Sequence, residues 1–183
     1  MATQTEINEM IAYQYSTGGG AKKQGNCAPR AIAIATGNAY RPVLAELNKI
    51  NRRRVVAKIA ALNSCSTEDA EFALDRHCAV SPSQKRRTQC QHGTDSEVSE
   101  TYFAKHGWGY VEVNCHMTDF TVEEIEEIKS WGTVIIKSKR WTRRGWKGHM
   151  ATMVDGVIYD TWDSRTTVHG DELFVEQFVV KGI

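Results

Sequence analysis

The sequence predicts an α+β fold, helical in its first half and sheet-forming in its second. Up to about residue 105, apolar residues recur at helical spacing. From Tyr110 onward they fall in short β-branched and aromatic runs. Asp155-Gly156 then separates two such runs as a two-residue hairpin turn.

The elements follow in order. Residues 1–15 carry Met10, Ile11, Tyr13 and Tyr15 and read as a short helix or arm, and Ser16 to Gly25 is a Gly/Lys-rich loop, so 1–23 is expected to be a flexible arm and loop. A helix begins at Cys27. Pro29 suits its first turn, where a missing N–H costs nothing, and Thr36-Gly37-Asn38 ends it. Ala31, Ile32, Ala33, Ile34 and Ala35 make it apolar all round, hence buried. A second helix starts near Pro42, places Val43, Leu44, Leu47 and Ile50 on one face and runs into Arg52-Arg53-Arg54. A third follows a Ser66-Thr67 cap, with Glu68 and Asp69 well placed against the helix dipole and Phe72 and Leu74 as its apolar content. Residues 79–96 are polar and are expected to be flexible. A fourth helix around 97–105 buries Val98, Tyr102 and Phe103 and stops at Gly107.

The second half reads differently. Tyr110-Val111-Glu112-Val113 is a strand. Thr121 caps an acidic helix, Val122 to Lys129, with Ile125 and Ile128 facing inward. Thr133 to Lys137 is a buried strand, and a basic loop spans 137–147. Residues 149–154 and 157–161 form the hairpin, and Leu173 to Val180 is the last strand.

The length of 183 residues suits one domain, 1–183, with a core of its own. A net charge of +1 does not call for nucleic acid or a membrane as partner. No apolar run approaches the roughly 20 residues that span a bilayer. Met1 to Glu6 lacks a secretory signal pattern, so a cytoplasmic setting is expected. The five cysteines are odd in number and irregularly spaced, which argues against structural disulfides.

One of them, Cys27, sits at the start of a helix in Gln24-Gly25-Asn26-Cys27-Ala28-Pro29-Arg30-Ala31. First-turn N–H groups lack intrahelical partners and carry partial positive charge, so they stabilise a thiolate and can hold an oxyanion. His149 opens the later hairpin. With Asp155-Gly156 as the turn, Val154 pairs with Val157, Met153 with Ile158, Thr152 with Tyr159 and Ala151 with Asp160, so that His149 faces Trp162. His149, Ala151, Asp160 and Trp162 then share a face, and Asp160 is the diagonal neighbour of His149. Strand parity selects Asp160 to orient the imidazole; Asp163 is the alternative if the strand ends early.

The Cys27 segment resembles the nucleophile segment of papain-like cysteine peptidases, above all that of the ovarian-tumour-type deubiquitinases, Asp-Gly-Asn-Cys-x-x-Arg-Ala. Gly107-Trp108 and the hairpin His…Val-x-Asp-Gly-Val-Ile-x-Asp-Thr are similar to small bacteriophage proteins of the same superfamily. The resemblance covers roughly 24–47 and 106–163. It implies a papain-like domain, helices packed on an antiparallel sheet, with Cys27 as nucleophile, His149 as general base and acid and Asp160 as the orienting carboxylate. The implied activity is hydrolysis of a peptide or isopeptide bond, in the host cytoplasm or a virion if the chain is phage-encoded. The chain departs from the family at the oxyanion-hole glutamine, whose position six before the cysteine is Ala21; Gln24 and Asn26 are the candidate donors instead. The alternative expectation is a catalytically inactive member of the fold serving as a structural or interaction module.

The basic loop 137–147 interleaves six cations with Trp141 and Trp146, a composition suited to an acidic protein or single-stranded nucleic acid. With Arg144 and Trp162 it is expected to flank the cleft and contact substrate. Cys65, His77, Cys78, Cys90 and His92 contain no Cys-x-x-Cys pair, and no phosphate-binding glycine motif is present, so neither metal nor cofactor is expected.

Overall fold

The computed structural model describes residues 1–20, 26–81, 83, 85, 88–142, 145–161, 163–165 and 173–182; at 92, 140–142, 145 and 146 it describes the backbone alone. The elements are α1 (Gln4–Met10), β1 (Ala12–Tyr15), α2 (Cys27–Thr36), α3 (Tyr40–Asn63), α4 (Thr67–Val80), α5 (Ser96–Lys105), β2 (Trp108–His116), α6 (Val122–Ser130), β3 (Thr133–Thr142), β4 (Gly145–Val154), β5 (Val157–Asp160) and β6 (Phe174–Lys181). Single 3₁₀ turns lie at Cys90–His92 and Met117–Asp119. The α+β class holds: six strands form one sheet in the order β1-β5-β4-β3-β6-β2. Every pairing is antiparallel except β1 with β5.

Strand alternation sends apolar side chains to both faces of this sheet. Val134, Ile136, Ala151, Met153, Ile158, Phe178 and Val180 pack on Ile7 of α1 and on Ile125 and Ile128 of α6. Ile135, Met150 and Val179 face the other way, onto α2, α3 and α5 through Ala28, Ile32, Leu47 and Phe103. The buried Thr152 hydroxyl also points that way and donates to the Ala31 carbonyl at 2.6 Å, fastening α2 to β4. Among the described residues no helix is long and apolar enough to cross a membrane.

The hairpin register matches the sequence reading, with Thr152 opposite Tyr159, Met153 opposite Ile158 and Val154 opposite Val157. The turn has φ of 48° at Asp155 and 79° at Gly156, the two left-handed residues of a type I′ turn.

Three segments differ from expectation. Residues 1–15, read as a short helix or arm and expected to be flexible, hold the short helix and are built into the core. Thr3 and Glu6 form a capping box at α1, Ile7 and Ile11 are buried, and β1 becomes the edge strand beside β5. The basic segment 137–147, read as a loop, continues β3 and β4 to a full ladder ending at Trp141 opposite Trp146 and Thr142 opposite Gly145. Its cations hid the strand because Arg143-Arg144 carries none of the Gly or Asn chemistry that marks a tight hairpin. Finally, α3 does not end at Arg52-Arg53-Arg54. Arg52 pairs with Glu71 and Asp75 of α4, and Arg54 with Asp95 and Glu97 at the start of α5, so the triplet clamps three helices together.

Candidate active site

Cys27 is the first residue of α2. Asn26 is its N-cap by position, yet its side chain makes no capping bond. The usual targets of that cap are the N–H groups of the second and third helical residues. Here the third is Pro29, which has none, and the second is Ala28, whose N–H points to the Cys27 sulfur. Asn26 instead gives its side-chain amide to the Tyr40 hydroxyl at the start of α3 and is fully buried. The loop before it is held close: Gly18, at φ 54°, brings its Cα so near α2 that a Cβ would stand 2.8 Å from the Arg30 carbonyl oxygen. The cysteine is thus delivered by a turn anchored on α3, while the helix start keeps its N–H groups for the sulfur.

His149 lies on β4 where that strand outruns its neighbour. The β4–β5 ladder stops at Thr152 and Tyr159, so β4 from 145 to 151 continues past the end of that ladder. The helix start fills the vacated edge, and the Met150 N–H donates to Cys27. Nε2 of His149 is 2.5 Å from Oδ2 of Asp160. The ring also hydrogen-bonds the Cys27 sulfur. With Nε2 committed to the carboxylate, that bond falls to Nδ1. Both side chains are almost fully buried, at 9% and 3% exposed.

Asp160 is held from two sides. Its Oδ1 accepts the Thr161 N–H at 2.6 Å. Its carbonyl oxygen accepts the Ser16 N–H at 2.7 Å and the Tyr13 hydroxyl at 3.4 Å. The N-terminal strand therefore braces the carboxylate that orients the imidazole. Asp163 is engaged elsewhere, paired with Arg165 at 2.7 Å, and that guanidinium holds its carboxyl below the usual range.

The electrostatics follow from burial and partners. Burial pushes the Cys27 thiol up, but the hydrogen bond and charge of His149 and the N–H groups of Met150 and Ala28 outweigh it, so the net direction is down. Burial pushes the His149 imidazole down, but Asp160 and Cys27 outweigh it and carry it up to about 9. A lowered thiol beside a raised imidazole favours the thiolate–imidazolium pair. Cys90 and Cys115 shift upward instead, chiefly by burial.

A cavity of about 380 Å³ opens onto this pair. Cys27, Ala28, Gly148, His149 and Met150 form one part of its lining; Thr94, Asp95 and Ser96 at the start of α5, with Lys137, Ser138 and Glu176, form the rest. Ser138 is the ladder partner of His149. The sequence reading singled out neither Ser138 nor the α5 start, because the β3–β4 register through the basic segment was not visible.

The remaining candidates fall as follows. Trp141 and Trp146 oppose each other at the far end of the β3–β4 ladder. Gln24, Arg144 and Trp162 lie outside the described residues. Cys65 and Cys78 pack partly buried against the Val56, Ala70 and Leu74 cluster between α3 and α4. Cys90 is buried against α3, with its N–H on the Asn48 side chain at 2.7 Å. Among the described residues no three His, Cys, Asp or Glu side chains gather closely enough to hold a metal ion.

Comparison of the chain with known protein families, curated proteins and solved structures finds no match.

Proposed function

We propose that the chain is a thiol hydrolase of papain-like type that cleaves a peptide or isopeptide bond through an acyl-enzyme. The observation that carries this reading is the sulfur–imidazole–carboxylate relay, with His149 held 2.5 Å from Asp160 and hydrogen-bonded to Cys27 at the floor of a cleft. The chain order Cys, His, Asp and the segment around Cys27 agree with the resemblance to papain-like peptidases.

The chemistry follows from the positions. His149 holds the Cys27 proton, and the thiolate attacks the carbonyl carbon of the scissile bond. Negative charge then builds on the carbonyl oxygen beside the first turn of α2, at the positive end of the helix dipole. His149 passes its proton to the leaving amine, the acyl group stays on sulfur, and a water activated by the same imidazole releases it as a carboxylic acid. Asp160 keeps the ring in one tautomer throughout. Gln24 and Asn26 remain candidate oxyanion donors, although the Asn26 amide is engaged with Tyr40.

The test is reactivity, then turnover. Iodoacetamide near neutral pH should label Cys27 far faster than Cys65, Cys78, Cys90 or Cys115. Cys27→Ala should abolish hydrolysis of a peptide or isopeptide-linked substrate while leaving thermal stability nearly unchanged. Equal labelling of all five thiols, or hydrolysis that survives the substitution, refutes the proposal.

One observation favours an additional contact. The β3–β4 hairpin runs past the end of β5 and carries six cations over 137–147, with Lys139 and Lys147 exposed. An acidic protein or single-stranded nucleic acid would bind along it with an affinity that falls steeply as salt rises.

A further inference from the structure

Three charged side chains line the cleft besides the reacting pair: Asp95, Lys137 and Glu176. Two are already neutralised. Asp95 accepts the Arg54 guanidinium at 2.8 Å and the Glu97 N–H at 3.1 Å. Glu176 is ion-paired with Lys139. Lys137 is different. It is 8% exposed, and its ammonium makes no hydrogen bond among the described residues. Its one ion-pair contact among the described residues is Glu100 at 3.7 Å, beyond hydrogen-bond range. The ammonium stands 5.2 Å from the centre of the Tyr110 ring, which supports it without using its N–H donors.

The backbone explains how a lysine comes to the cleft beside a serine. Consecutive strand residues point to opposite faces. Here the β3–β6 ladder slips between them: Lys137 opposes Gln177, Ser138 opposes Val175, and Glu176 is left as the extra residue of a bulge. Bulges re-aim side chains, and Lys137, Ser138 and Glu176 all line the same cavity. Ser138 is 2% exposed, its hydroxyl has no partner among the described residues, and it faces His149 across the ladder. Both groups border the cavity, and an anion there would give each an acceptor at hydrogen-bond distance.

We propose that Lys137 and Ser138 form a carboxylate-binding subsite, so that Cys27 acts on a protein segment with an acidic side chain next to the scissile carbonyl. This rests on the hydrolase reading for the bond cleaved. The recognition itself is measurable at the sulfur without turnover.

The probes are N-iodoacetyl-glutamate amide and N-iodoacetyl-glutamine amide, equal in size and differing in one charge. In both, the Cys27 thiolate displaces iodide and forms a carbon–sulfur bond. Second-order rate constants are read by mass spectrometry of the Cys27 peptide in the full-length protein. The glutamate reagent should react about tenfold faster than the glutamine reagent, and in Lys137→Met the ratio of the two rates should fall towards one. Lys137→Gln gives the same comparison should the methionine variant fail to fold. A wild-type ratio near one, or a preference that survives loss of the ammonium, overturns the subsite. Slow iodoacetamide labelling of Cys27 would instead overturn the thiolate reading, and the glutamate-to-glutamine ratio at that sulfur would still decide the subsite.

Discussion

Replacing Asp160 by asparagine removes the charge and leaves one acceptor oxygen where two now serve the His149 ring and the Thr161 N–H. The side chain is 4% exposed, so the variant keeps the shape of a well-packed site. What it loses is the anion 2.5 Å from the His149 ring. Burial alone would drive the imidazole below 6.5, yet it stands at about 9. Its partners therefore stabilise the protonated ring by at least about 3 kcal/mol, since each pH unit is about 1.4 kcal/mol. Asp160 supplies the largest favourable part of that. In Asp160→Asn the ring releases its proton nearer neutrality, and the Cys27 thiol, no longer beside a firm cation, moves back up towards the ordinary cysteine range. The assay is the pH profile of Cys27 alkylation by iodoacetamide. The wild-type rate should persist well below pH 8. The variant profile should move to higher pH, its rate falling below the wild type's on the acid side and recovering as pH rises towards the ordinary cysteine range. Asp163→Asn should leave the profile where it is, because that carboxylate is held by Arg165. An unchanged profile in Asp160→Asn would refute the assignment of the relay, and a shifted one in Asp163→Asn would reassign it.

Two further outcomes follow from the same contacts. In Cys27→Ala the imidazole loses the Cys27 bond but keeps the Asp160 bond that raises it: that contribution is full below pH 6.5 and is lost as pH rises through the folded value, so denaturant midpoints should decline across neutral pH, and a flat curve would contradict the Asp160 contribution. Thr152→Val removes the 2.6 Å bond that fastens α2 to β4 without changing volume, and should lower the unfolding free energy by about 1 kcal/mol in chemical denaturation.

The reacting pair was legible in the sequence, but its surroundings were not, and the difference has a physical basis. A two-residue Asp-Gly turn fixes register, and register fixes parity, so the meeting of His149 with Asp160 follows from local rules. The α2 start is equally local: a cysteine before a first-turn proline at the head of an all-apolar helix. The N-terminal strand that braces Asp160 is not local. Ala12–Tyr15 becomes a strand because β5 offers it a parallel edge about 145 positions away, while its own four residues, mostly exposed, show no clear apolar alternation. The far wall of the cleft is hidden for a related reason. Lys137 and Ser138 reach it together only because β6 carries a bulge at Glu176, and a slip in one strand is written in the pairing of two. A reading of β3 alone puts Lys137 and Ser138 on opposite faces and assigns the lysine to solvent, as its charge suggests. The pairing also explains why the lysine was missed as a chemical group. Its neighbours Asp95, Lys139 and Glu176 form ion pairs across α3, β3 and β6, so the segment reads as ordinary surface charge, and only the placement of Lys137 in the cleft, with Glu100 beyond hydrogen-bond range, sets it apart.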